Sequence, residues 1–155
     1  MEIMKPLFIF DIDGTLADGT HRVHHIMKKP KDWDTYFSLC LDDAPIAPVI
    51  HTLKALRAGG ADIWYFSGRS DVVRYETAQW LVTHVGADPA HLDAHLHMRP
   101  EKDHQPDDDL KRSWLLDMLP IDRERLIAIY DDRDRVVAMW RAMGVQCFQV
   151  APGEF

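Results

Sequence analysis

Four consecutive apolar residues, Leu7-Phe8-Ile9-Phe10, lead without a break into Asp11-Ile12-Asp13-Gly14-Thr15. A strand whose every side chain is apolar needs cover on both faces, and its usual home is the interior of a parallel sheet flanked by helices. Later segments repeat the pattern. Residues 61–66 (ADIWYF) form an apolar and aromatic run ending at Ser67, and residues 125–130 (RLIAIY) end at Asp131-Asp132. Between such runs the period changes to that of helices. Ile46, Val49, Ile50, Leu53 and Leu56 recur at helical spacing over 45–58, with Gly59-Gly60 as the stop. Asp71 can cap a helix reaching about Val85 before Gly86, residues 108–119 read as a helix ended by Pro120, and residues 133–143 as one stopped by Gly144. Short strands are expected over 92–98 and 145–150. The alternation predicts an α/β fold, a three-layer Rossmann-like sandwich around a mostly parallel five-stranded sheet.

In such a sheet the carboxyl ends of the strands share one edge, and ligands bind in the crevice outside it. Asp11, Ser67 and Asp131 each follow a strand, so residues distant in sequence are expected to meet there. Asp11 can serve as a nucleophile towards phosphorus, and Asp13 can protonate a leaving group and later activate water. Carboxylates this close repel unless a hard cation neutralises them, which points to Mg2+. A capping Asp-rich turn is the bland reading of the same residues. Ser67-Gly68-Arg69 offers a hydroxyl, backbone N–H groups and a guanidinium fork to phosphate oxygens. Lys111, near the start of a helix, can neutralise both a phosphoryl group and Asp11. Asp131 and Asp132 supply one carboxylate to the metal and a second that acts through water or braces the lysine. Each signal has an ordinary structural explanation alone; together four acidic side chains, Ser67 and Lys111 are expected to converge around one divalent ion at the sheet edge, a charged pocket suited to phosphoryl transfer.

The D-x-D-G-T, S-G-R, lysine and D-D elements resemble the four motifs of the haloacid dehalogenase-like phosphatases, over almost the whole chain. By that resemblance Asp11 is the nucleophile and Asp13 the general acid–base; Ser67 and Lys111 bind phosphate; Asp11, Asp131, Asp132 and the main-chain carbonyl of Asp13 hold the metal. The run Ala128-Ile129-Tyr130-Asp131-Asp132-Arg133, with Val136-Val137, Met139-Trp140-Arg141, Gly144-Val145, Cys147, Gln149-Val150-Ala151 and Gly153, is similar to the phosphatase domains of the bacteriophage type of polynucleotide kinase–phosphatase. Arg22 and Arg69 match two arginines of those domains. The resemblance implies a 3′-phosphatase acting on a nucleic acid 3′ end or a nucleotide; a small-molecule phosphatase or nucleotidase is the alternative. No G-x-x-x-x-G-K-[ST] occurs, so no 5′-kinase activity is implied. Residues 23–43 and the stretch after Arg69 do not align with the phage domains.

Residues 1–155 are expected to form one domain, with 14–44 a flap-like insert too short for a large cap with its own core. Formal charge is −7, which argues against a long basic face gripping nucleic acid. Arg22, Lys28, Lys29, Lys31, Arg69, Arg99 and Lys102 could guide a polynucleotide locally or form a solvated face. Trp33, Tyr36 and Phe37 are expected to pack the insert onto the body, with base stacking the other reading. Trp80, Trp114 and Trp140 read as core. Among nine histidines, His91, His95 and His97 lack the partners of a zinc site, and His21, His24 and His25 suit surface positions. Cys40 and Cys147 read as reduced, partly buried thiols. No early apolar run resembles a signal peptide or membrane span, so a cytoplasmic protein is expected, with no membrane contact and no stable protein partner implied.

Overall fold

The computed structural model describes residues 3–155. Strand β1 (Leu7–Phe10) leaves the sheet for a short excursion closed by an antiparallel ribbon of β2 (Ala17–Asp18) and β3 (Ala44–Pro45). The excursion holds helices α1 (His24–Met27) and α2 (Trp33–Ser38); the Asp32 carboxylate starts α2 by accepting the Thr35 N–H at 3.1 Å. Helix α3 (Ala47–Ala58), strand β4 (Asp62–Ser70) and helix α4 (Arg74–Val85) follow, the last closed by Gly86 in the left-handed region. The chain continues through α5 (Pro89–His95), β5 (Leu96–Arg99), α6 (Asp107–Asp117), α7 (Pro120–Arg125), β6 (Leu126–Asp131), α8 (Asp134–Ala142) and β7 (Cys147–Gln149).

The main sheet has the order β5-β4-β1-β6-β7, and every pairing is parallel. Its central strand explains the opening apolar run. Leu7 and Ile9 enter one core with Trp64, Phe66, Leu115, Val136 and Trp140. Phe10, with half-buried Phe8 packed beside it, enters the other core with Leu53, Tyr65, Trp80 and Leu81. Helices cover both faces, leaving Leu7, Ile9 and Phe10 fully buried and only Phe8 partly exposed. After β5 the chain crosses to β6 on the far side of β1, and the crevice at that switch faces the carboxyl ends of the strands. The excursion after β1 carries no large cap; Phe37, Cys40, Leu16 and Ala17 join the α3–α4 core.

Several boundaries differ from the sequence reading. Residues 92–98 are not one strand: α5 runs to His95 and the strand begins at Leu96. Pro89 in the first turn of α5 favours helix entry, and Leu92 and Leu96 are one turn apart as well as compatible with a strand. Pro120 ends α6 as expected but also opens a further helix, α7. Strand β4 extends through Ser67-Gly68-Arg69 to Ser70, with an irregular register against β5, and Asp131 is the last residue of β6. Cys40 and Cys147 are free and buried. Trp80 and Trp140 are fully buried, and Trp114 packs partly buried beside the second core. No described helix is long and apolar enough to cross a membrane.

Candidate active site

Asp11 follows the last residue of β1, and its N–H donates to the Tyr130 carbonyl at 2.9 Å, which ties the β1 and β6 ends together. Beyond it the chain must turn at once beneath β6. Gly14 allows this: its φ is +80°, and a Cβ there would collide with the Asp132 carboxylate. Thr15, fully buried, donates its hydroxyl to Asp11 at 3.1 Å and is 3.3 Å from Asp132.

Asp11, Asp131 and Asp132 are all buried, and one oxygen of each lies within 4.8 Å of the others. Lys111 reaches them from α6, donating to Asp11 at 2.8 Å and Asp131 at 3.0 Å. Asp131 is further held by its neighbours' N–H groups and by the Trp140 indole N–H at 3.3 Å. Burial and the facing Asp131 carboxylate push the Asp11 carboxyl well above the ordinary range, against the pull of Lys111. Burial raises Asp132 as well. Burial alone would lower the Lys111 ammonium, but Asp11, Asp131 and Asp107 outweigh it and hold it charged. One ammonium among three carboxylates leaves excess negative charge in a buried place, and oxygen ligands this close suit a hard divalent cation.

Asp13 does not join that cluster with its side chain. Its carboxylate turns to the guanidinium groups of Arg22, at 3.0 Å, and of Arg69. Desolvation works to raise its pKa, yet Arg69 and Arg22 prevail and hold it below the usual range. The expectation that four acidic side chains converge on one ion is therefore corrected to three; the main-chain carbonyl of Asp13 was the atom expected of that residue. The reason is electrostatic, since two cations stand on the other side of Asp13.

Those cations are fixed by a residue the sequence reading missed. Asp43, just before β3, is fully buried and accepts from Arg22 Nε and Nη2 at 2.8 Å each, from Arg69 at 3.2 Å, and meets His21 at 2.8 Å. His21 is exposed, as expected, and is tied to the site by that contact. Asp107 was missed too: it meets Arg99 at 3.1 Å and lies 3.9 Å from Lys111. Gly68 is glycine because a Cβ would strike the Asp107 carboxylate. A lone acid in a turn or at a helix start carries no mark that distinguishes these residues from surface carboxylates.

A pocket of about 750 Å³ opens above the cluster, lined in part by Asp11, Asp13, Gly68, Arg69, Asp131 and Asp132. Ser67, Lys111 and Arg22 lie behind that lining, fully buried, with the Ser67 hydroxyl accepting the Arg69 N–H at 3.1 Å. One wall is apolar, made by Ile26, Trp33, Tyr36 and Phe37; the other mixes Arg99, Arg133 and Arg135 with Glu101, Asp103 and Asp107. Lys28, Lys29, Lys31 and Lys102 are not part of the lining. His91, His95 and His97 form no metal-ligating group among the described residues.

Residues 5–155 match the family described as the polynucleotide kinase PNKP phosphatase domain. A chain of the Pnkp1/Rnl/Hen1 RNA repair complex is similar at 28% identity and a TM-score of 0.76, over 97% of this chain and 44% of that one. The chain here therefore spans less than half the length of that relative. The class C acid phosphatase from Bacillus anthracis, with tungstate bound, shares the fold at 20% identity and a TM-score of 0.65, covering 99% of this chain and 68% of its own. CbbY from Rhodobacter sphaeroides, in complex with phosphate, shares it at 14% identity and 0.59, over 98% and 88%.

Proposed function

The chain belongs to the phosphatase-domain family of polynucleotide kinase PNKP, within the haloacid dehalogenase-like phosphatases, and from that premise we propose that it removes a 3′-phosphate from polynucleotide ends, through an aspartyl-phosphate formed on Asp11. The observation that carries this reading is the buried meeting of Asp11, Lys111, Asp131 and Asp132 at the floor of an open pocket. The 28% likeness to a chain of an RNA repair complex supports a nucleic acid substrate.

A carboxylate oxygen of Asp11 attacks phosphorus, and the bond from phosphorus to the ester oxygen breaks. The departing oxygen takes a proton from Asp13. Water then attacks the aspartyl-phosphate and gives a proton back to Asp13, releasing inorganic phosphate and restoring both carboxyl groups. Asp13 is held ionised by Arg22 and Arg69 in the free protein. An arriving phosphate competes for the Arg69 fork, which loosens that hold and lets Asp13 carry the proton. Lys111 and the Arg69 guanidinium neutralise charge on the phosphoryl oxygens, and Ser67, whose hydroxyl accepts the Arg69 N–H, braces the end of β4.

Asp11, Asp131 and Asp132 would hold Mg2+, with the Asp13 carbonyl completing the protein ligands as in the resembling phosphatases. When bound, the ion supplies charge neutralisation for the carboxylates and the phosphoryl group.

A panel with magnesium tests the reading: 3′-phosphorylated oligonucleotides, 5′-phosphorylated oligonucleotides, nucleoside monophosphates and simple phosphate esters. The expected order puts the first well ahead. A preference below about tenfold, little more than one misplaced contact is worth, would transfer the assignment to a small-molecule phosphatase. Asp11→Asn is expected to fold normally and to lose turnover; an active variant removes Asp11 as nucleophile.

A further inference from the structure

We infer that Trp33 is the stacking surface for the nucleobase of the nucleotide that carries the phosphate, an inference resting on the phosphatase reading above. A phosphate group needs only the floor of the site, whereas the pocket, about 750 Å³, has the size of one that takes a whole small ligand. The extra room is bounded on one side by the face of α2. Tyr36 and Phe37 lie three and four residues after Trp33, about one helical turn, and so both neighbour it on the helix surface.

Two of the three rings are already committed. Tyr36 lies under the Arg22 guanidinium at 4.3 Å, and Phe37 packs against the α3–α4 core. The sequence expectation that this insert packs onto the body is met by Phe37, whereas Tyr36 packs within the insert, on Arg22. Trp33 is different: 46% of it remains exposed, on the wall of the pocket. Its position is nonetheless fixed, because it stacks on Phe37 at 5.7 Å and meets the Tyr36 ring edge-on at 5.7 Å. The remaining neighbour over its ring is the Lys31 ammonium at 5.7 Å, exposed and on a flexible stem.

An indole held by two other rings yet left half in water is a rigid flat surface with no partner large enough to cover it. It faces the same space as Asp11 and Arg69, so a ligand anchored there by its phosphate can lay a ring on it. Nucleobases fit this requirement, and stacking tolerates any base because each has a π-face. The rest of the lining, with Glu101 and Asp103 among its arginines, is mostly polar and charged, and the Phe155 ring there already faces the Arg133 guanidinium at 5.3 Å.

The test uses 3′-phosphorylated oligonucleotides identical except at the last residue, which carries adenine, thymine or no base. The expected KM is lowest for adenine and about tenfold higher without a base, with kcat nearly unchanged. In Trp33→Ala the gap between base and no base should shrink to about twofold or less, while the abasic substrate is processed as by the unaltered protein. Trp33→Phe should keep part of the preference. Equal KM values with and without a base in the unaltered protein overturn the inference and leave the phosphatase reading standing. A Trp33→Ala variant that keeps the preference, or that loses the abasic substrate too, also overturns it. Failure to turn over any 3′-phosphorylated end removes the phosphatase reading, and the inference with it.

Discussion

At the scale of single residues, the Asp11 carboxyl shows what the site lacks without a cation. Its pKa in the folded protein is raised by burial and by Asp131. A carboxyl whose folded pKa lies above its unfolded value contributes stability that is complete below the unfolded value. That contribution is lost as pH rises through the folded one. Near neutral pH the metal-free cluster is therefore a liability, and Asp132, raised in the same direction, adds to it. A divalent cation held by Asp11, Asp131 and Asp132 reverses the liability, and does so most where the carboxyls are ionised. Saturating magnesium is thus expected to raise the unfolding midpoint more at pH 8 than at pH 5. At about a hundred times its dissociation constant the gain at the higher pH would be about 3 kcal/mol. Thermal unfolding at both pH values, with magnesium and with a chelator, measures the difference. An equal shift at both would mean that the ion sits elsewhere.

At the scale of elements, the active edge depends on a link between the excursion after β1 and strand β4. Arg22 comes from the first and Arg69 from the second, and both are gathered by buried Asp43. The Asp43 carbonyl also accepts the Trp80 indole N–H at 2.9 Å, which fastens the same point to α4. Asp43→Ala would leave two buried guanidinium groups sharing the Asp13 carboxylate. Breaking a buried pair by removing one partner costs about 3–5 kcal/mol. The unfolding free energy in urea should fall by about that much, and phosphatase activity should fall with it; Asp43→Asn, which keeps the shape and some hydrogen bonds, should lose less. A loss under about 1 kcal/mol, the range of an exposed pair, would show that the link is unimportant. The elements differ in how plainly the sequence reveals them. Leu7 to Phe10 announces a strand buried on both faces, and the acids and lysine set at strand ends and helix starts announce where the charge gathers. Asp43 is silent because its partners are named only by the folded path of 14–44, which brings Arg22 back beside Arg69. The turn of Asp13 away from the other carboxylates is silent for the same reason. Around Leu92, Leu96 and Met98, helical and strand spacing coincide, so the α5–β5 boundary required the packing of His95 on Trp64, at 4.6 Å, to be decided.

At the scale of the whole molecule, the distribution of charge bears on how much of a polynucleotide the proposed substrate site would hold. The formal charge is −7, and the arginines on the polar wall are already engaged. Arg99 meets Asp107 at 3.1 Å, Arg133 lies 3.7 Å from the same carboxylate, and Arg135 meets Asp108 at 2.8 Å. A phosphate at that wall would have to displace a carboxylate to gain a cation, so phosphates beyond the terminal one are expected to add little binding there. A protein that neutralises six to ten phosphates loses about 10³–10⁵ in affinity between 50 and 200 mM salt. This one, engaging one or two, should lose less than about tenfold in kcat/KM over the same interval. By the same logic KM for 3′-phosphorylated oligonucleotides should stop falling once the chain is about three nucleotides long, since only the reacting end enters the pocket. Measuring kcat/KM across that length series at two salt concentrations checks both expectations together. A steep salt slope that grows with length would mean that phosphates outside the pocket find cations elsewhere on the surface, with the exposed lysines at 28–31 the first place to look.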